Sequence, residues 1–130
     1  MFKVRLILIY GILLAILQAS CSGGSGPSAA AAVQAYWQAM VDRDLNKVVE
    51  LSCADWEAQA RTEFNSFSAV KLELDNVACS AASQSGDTVQ VSCSGGIIAN
   101  YGAENLTIDI ANRAYRVLNE GGEWRMCGYQ

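Results

Sequence analysis

Five cysteines and a complete lack of histidine define the chemistry open to this chain of 130 residues. Without histidine there is no imidazole general base, no Ser-His or Cys-His nucleophile, and the commonest transition-metal ligand is missing. Thiols remain, and thiols can be acylated, oxidised in pairs, or bound to zinc. A zinc site calls for close pairs such as C-x2-C, and Cys53, Cys79, Cys93 and Cys127 are too widely spread to offer one. No metal and no cofactor is therefore expected. Cys21 stands apart, because it ends an apolar run and opens the tract Ser22-Gly23-Gly24-Ser25-Gly26-Pro27. Setting it aside leaves four thiols, which can close two disulfides in an oxidising compartment.

Residues 1–20 have the three parts of an export signal: a basic start with Lys3 and Arg5, an apolar segment from Leu6 to Leu17, and small residues Ala19 and Ser20. The apolar segment is too short to span a bilayer, which takes roughly 20 apolar residues. The run Leu17-Gln18-Ala19-Ser20-Cys21 resembles the lipobox of bacterial lipoprotein precursors, although Gln18 stands where the lipobox has its Leu. That resemblance implies an acylated Cys21 whose first partner is membrane lipid. The domain would then be anchored to a bacterial membrane, facing the periplasm or the cell exterior. Cleavage after Ser22 or Gly24, giving a secreted soluble protein, is the alternative. Residues 21–27 form a Ser/Gly tether whose mean reach is roughly 15 Å, which keeps the domain close to the lipid surface.

Residues 28–130 suit a single domain. With Lys3 and Arg5 assigned to the leader, seven basic side chains face thirteen acidic ones, a net charge of −6. Such a surface does not neutralise phosphates, so nucleic acid is excluded as a partner. No polybasic segment is present to hold anionic lipid, and attachment must come through Cys21.

Helical spacing begins at Ser28. Ala32, Val33, Tyr36, Trp37, Met40 and Val41 recur at three and four, the stripe of a helix of about 15 residues, with Pro27 and Ser28 fit to start it. Asp44 is placed to cap a short second helix through Leu51, with Leu45, Val48 and Val49 inward. Asp55 is placed to cap a third, along which Trp56, Ala60 and Phe64 recur. The second half alternates with period two around Val70-Leu72-Leu74, Val89-Val91-Cys93 and Leu106-Ile108-Ile110, and a last strand runs from Glu123 to Tyr129. Turn residues separate these runs at Ser85-Gly86-Asp87, Asn100-Tyr101-Gly102 and Glu120-Gly121-Gly122. The expectation is an α+β domain with N-terminal helices packed on a curved, four-stranded antiparallel meander.

A hairpin closed at Ser85 to Asp87 sets Gln84 opposite Thr88, and counting back five places on each side sets Cys79 opposite Cys93, a geometry fit for a bridge. A bulge in that interval would shift the register. Cys53 is then left to pair with Cys127.

The segments Tyr36-Trp37-Gln38-Ala39-Met40, Asp42 to Leu51 and Gly121-Gly122-Glu123-Trp124-Arg125-Met126-Cys127-Gly128 resemble the nuclear transport factor 2-like superfamily, of cystatin-like fold, and in particular its small exported lipoproteins of unknown function. The resemblance implies a sheet curled around a long helix into a cone. Catalytic members use an Asp or a His with Tyr donors inside that cone. Here Asp109 and Tyr115, read as parts of the third strand, with Tyr36 and Tyr101, are the groups that could meet there. Asp109 alternates with Leu106, Ile108 and Ile110, which places it on a solvated face. Asp42 and Asp44 read as turn and cap, Trp56 and Trp124 as core, and Asn105-Leu106-Thr107 as a chance match to the glycosylation sequon. No catalytic residue is assigned. The expected function is that of a membrane-tethered, noncatalytic module for a small apolar ligand or an envelope protein. A small isomerase- or dehydratase-like enzyme is the alternative.

Overall fold

A computed structural model describes residues 28–130; the leader, Cys21 and the tether lie outside the described residues. Helix α1, Ala29–Val41, is capped by Ser28, whose hydroxyl oxygen accepts from the Ala31 amide at 3.1 Å. Its buried stripe includes Val33, Tyr36, Trp37 and Met40. Helix α2, Leu45–Glu50, begins at Asp44, which accepts from the Lys47 amide at 3.0 Å and buries Val48. Helix α3, Ala54–Ser66, starts one residue before the expected Asp55 cap. Cys53 is the N-cap, and Asp55 occupies the first turn, where its charge favours the helix dipole.

Five strands follow rather than four: β1 Lys71–Ser85, β2 Thr88–Asn100, β3 Asn105–Asp109, β4 Tyr115–Glu120 and β5 Glu123–Tyr129. The strand the sequence did not announce is β4, whose alternation of Tyr115 and Val117 around Arg116 is too brief to register as a period. Asp109 and Tyr115 accordingly belong to different strands. The order is β1-β2-β4-β5, with β3 also on β2. One edge of β2 serves two partners in succession: Thr88–Val91 pairs with β4 and Gly96–Asn100 pairs with β3. Sequential strands are therefore not all neighbours, as a simple meander would require.

The long β1–β2 hairpin is bent at an irregularity between Asp75 and Ala78. Asn76 there has φ 51°, and opposite it Gly95 has φ 85°, with backbone oxygens of Asp75 and Asn76 where a Cβ would stand. Such a bulge bends the strand and adds local twist.

The hairpin turn is one residue tighter than expected, since Ser85 rather than Gln84 faces Thr88. A second irregularity between Ala81 and Ser83 restores the count, and Cys79 faces Cys93. These two cysteines are bridged, with Cα atoms 4.0 Å apart. Cys53 is bridged to Cys127 across 74 residues. The two disulfides fit an oxidising, exported environment. The Cys53–Cys127 bridge also reinforces the β5 edge of the sheet, where the Cys53 amide donates to the Met126 carbonyl at 2.9 Å and the Met126 amide to that of Leu51 at 2.6 Å.

Val33, Tyr36, Trp37, Val48, Ile97, Ile110, Tyr115, Val117 and Met126 have essentially no exposed surface and form one core between helices and sheet. Leu106, expected inward, is 56% exposed. It pairs with Ala99 near the free end of the β2–β3 hairpin, beyond the cover of the helices. Among the described residues no helix is long and apolar enough to cross a membrane.

Candidate functional site

Where α1, α3 and β5 converge, a buried Tyr36 meets the half-buried side chains of Trp56, Glu63 and Tyr129. Glu63, on the same face of α3 as Trp56 and Ala60, accepts from the Tyr36 hydroxyl at 2.8 Å and from the Tyr129 hydroxyl at 2.5 Å. Trp56 Nε1 donates to the Tyr36 oxygen at 3.3 Å. A second bond lies beside this set, from Trp37 Nε1 to the Tyr115 hydroxyl at 3.3 Å. The rings of Tyr115 and Tyr129 meet edge to face at 5.5 Å, as do Trp56 and Tyr129 at 5.4 Å. From the link between β3 and β4, the Arg113 guanidinium lies 4.3 Å from the Tyr129 ring centroid.

These surroundings set the acidity of the phenols. Burial, reinforced by the Glu63 charge, raises Tyr36 far above the ordinary phenol range. Burial and the hydrogen bond to Glu63 raise Tyr129 in the same way. Burial raises Tyr115 as well, opposed by the Trp37 N–H and by Arg113. All three are thus held neutral at physiological pH, and Glu63 has both carboxylate oxygens engaged.

The sequence candidates are dispersed. Tyr36 and Tyr115 are buried in this region, but Tyr101 is 53% exposed at a turn. Asp109 is exposed and accepts from the Ala111 amide and the Asn112 side chain, closing the link after β3. Asp42 accepts from Gln38 on the surface and Asp44 caps α2. Asn105 accepts from the Asn100 side chain across the β2–β3 turn. Glu63 escaped the sequence reading, although its spacing from Trp56 and Ala60 marks the buried face of α3. Among the described residues no cluster of three or more metal-ligating side chains forms.

On the outer side of this cluster an open groove of about 260 Å³ runs along β5, bounded by Trp56, Gln90, Arg116, Gly128, Tyr129 and Gln130. Gly128 has φ 110°, and a Cβ there would stand 3.2 Å from the Trp56 ring. Trp56 therefore packs directly against the Gly128 backbone, with no room between them for a side chain. Gln90 and Arg116 are paired across β2 and β4, and Arg116 enters none of the ion pairs formed among the described residues.

Comparison of the chain with family models, with curated proteins and with solved structures finds no match.

Proposed function

We propose that the protein is an exported domain held to the outer face of a bacterial membrane by an acylated Cys21, and that it binds a partner rather than transforming one. The observation that carries this reading is the cysteine count: Cys53, Cys79, Cys93 and Cys127 are all consumed in disulfides, which leaves Cys21 as the one thiol of five without a partner. An unpaired thiol at the junction of an apolar leader and a Gly/Ser tract is where lipid attachment would be made.

Further support comes from the arrangement of the domain. Gln34 accepts from the Cys79 amide midway along β1, and Val41 lies near Val70 to Leu72 at its start. Helix α1 thus runs antiparallel to β1 and presents Ser28 toward the end of the molecule that carries the β1–β2 turn. The β4–β5 turn is bonded to that same end, through the Asn119 amide and the Asp87 carbonyl. Asp87, Glu120 and Glu123 are exposed there, with Arg125 pairing the two glutamates. Such an end has no basic cluster to attract anionic lipid, so a covalent lipid fits as the means of attachment. The binding part of the proposal is favoured by the full engagement of Glu63 and by the dispersal of Asp109 and Tyr101 to the surface.

Intact-mass measurement on the membrane fraction tests the anchor. Wild-type protein is expected to carry acyl mass at Cys21 and to sediment with membranes, and Cys21→Ala to be unacylated and released. A wild-type mass without acyl chains, or wild-type protein found in the medium alone, would refute it.

A further inference from the structure

We infer that the free edge of β3 pairs with the same edge of a second copy of the chain, so that two domains join their sheets antiparallel about a twofold axis at Thr107. The partner is then another copy of the protein itself, which rests on the reading of the domain as a binding module. The edges of the sheet fall on β1, β5 and β3, and an open edge is a row of unpaired amides and carbonyls that folded proteins ordinarily guard. The β1 edge is interrupted between Asp75 and Ala78 and again between Ala81 and Ser83, carries Lys71, Glu73 and Asp75, and gives its Cys79 amide to Gln34 of α1. The β5 edge is occupied at Met126, which bonds to Leu51 and Cys53. β3 has none of these guards. Asn105-Leu106-Thr107-Ile108-Asp109 runs in unbroken register along β2, without proline, without a basic residue and with a single charge at its last position. Among the described residues its backbone bonds to no other backbone outside that ladder.

The hydrogen-bond phase of β3 selects the register. The β2–β3 turn is closed by the Tyr101 amide, which donates to the Glu104 carbonyl at 2.8 Å, and bonded pairs alternate with non-bonded ones along an antiparallel ladder. Leu106 and Ile108 therefore bond inward to Ala99 and Ile97, while the amides and carbonyls of Asn105, Thr107 and Asp109 point away from β2. Thr107 is the middle of that outward set. A twofold axis there uses every outward group, pairing Thr107 with Thr107 of the other copy and Asn105 with Asp109. The side chains agree with this register. Leu106 of each copy lies opposite Ile108 of the other, on the face shared with Ala99 and Ile97, in the non-bonded position where side chains come closest. The pairing thus covers Leu106, one of the two large apolar side chains left exposed. On the opposite face the Asn105 amide meets the Asp109 carboxylate, and threonine meets threonine. An axis at Asp109 would instead set two carboxylates against each other, and one at Asn105 would leave Thr107 and Asp109 facing the other copy's turn.

An edge this short gives a small interface, so the association is weak and is tested by covalent trapping at about 0.5 mM protein. Thr107→Cys places two thiols across the axis in a hydrogen-bonded pair, whose Cα separation of about 5.5 Å is that of an ordinary disulfide. Asn105→Cys is the control, because the same axis holds its two copies about 14 Å apart along the strands. Both substitutions are made in the full chain carrying Cys21→Ala, where the introduced thiol is the sole free one, so the result does not depend on whether Cys21 is acylated. Under oxidation by copper phenanthroline, Thr107→Cys is expected to yield a disulfide-linked dimer and Asn105→Cys to stay monomeric. Adding Leu106→Asn to Thr107→Cys is expected to slow trapping roughly tenfold, the loss that goes with one apolar side chain no longer buried. No trapped dimer, equal trapping at the two positions, a linkage mapped to a native cysteine, or a rate unchanged by Leu106→Asn would overturn the pairing. Each of these leaves the lipid anchor standing, since that is read from the mass of the wild-type protein.

Discussion

Glu63 shows how much can depend on one carboxylate in this domain. It joins α1 through Tyr36 and β5 through Tyr129, so three elements meet on two charge-assisted bonds, which are about twice as strong as neutral ones. The phenols it receives carry a pH dependence whose sign is determinate. Tyr36, Tyr115 and Tyr129 are all raised above their ordinary value, with burial the first cause in each. In the unfolded chain these phenols ionise near pH 10, while in the folded chain they stay protonated. Their contribution to stability is thus complete below about pH 10 and is lost as the pH rises beyond it toward the folded values. Tyrosinate absorbance and near-ultraviolet circular dichroism, followed together in an alkaline titration, should show these three ionising only as tertiary structure is lost. Ionisation of all the tyrosines near pH 10 with the dichroism intact would contradict it.

Among the elements, the β1–β2 hairpin does most to shape the molecule, and its bend is a matter of two residues. Asn76 takes a positive φ in β1, and Gly95 answers it in β2, with backbone oxygens occupying the place of its Cβ. Gly95→Ala must displace backbone as well as adopt a φ that alanine rarely takes, so a loss of about 3 kcal/mol or more is expected. Urea unfolding of this variant beside Gly86→Ala separates the two costs, because nothing lies within 4 Å of a Cβ at the exposed turn residue Gly86. Equal losses at the two positions would show that φ alone matters and that the close approach does not. The bend falls between the two stretches of the far edge of β2, Thr88–Val91 on β4 and Gly96–Asn100 on β3.

On the scale of the whole molecule, two covalent links of very different span hold a modest core. The Cys79–Cys93 bridge closes a separation of 14 residues within one hairpin, and Cys53–Cys127 closes 74 and fastens helix to sheet edge. In the chain-entropy model these spans correspond to roughly 3 and roughly 4–5 kcal/mol. Thermal or urea unfolding of paired Cys→Ala variants should therefore show the larger loss for Cys53 with Cys127. A larger loss for Cys79 with Cys93 would mean that local strand geometry outweighs loop closure here. Both bridges fit a domain that folds in an oxidising compartment.

Much of this was legible in the residues themselves, because it depends on near neighbours in the chain. Ser28 and Asp44 act as caps, the stripe from Val33 to Met40 is buried, and the turns fall at Gly86 and at Gly121-Gly122, all consequences of local spacing and side-chain chemistry. The facing of Cys79 and Cys93 also follows from counting, though by way of a tighter turn and a bulge whose one-residue shifts cancel. Tertiary structure alone decided the rest. Brief alternation concealed β4, and no local pattern indicates that Glu63 will find Tyr36 and Tyr129, since those contacts span 27 and 66 residues. The groove likewise assembles Trp56, Gln90, Arg116 and Gly128 from four elements. Local periodicity reports which face of an element is buried, but the partner it meets there depends on how the sheet bends, and that bend is set where Asn76 and Gly95 come together.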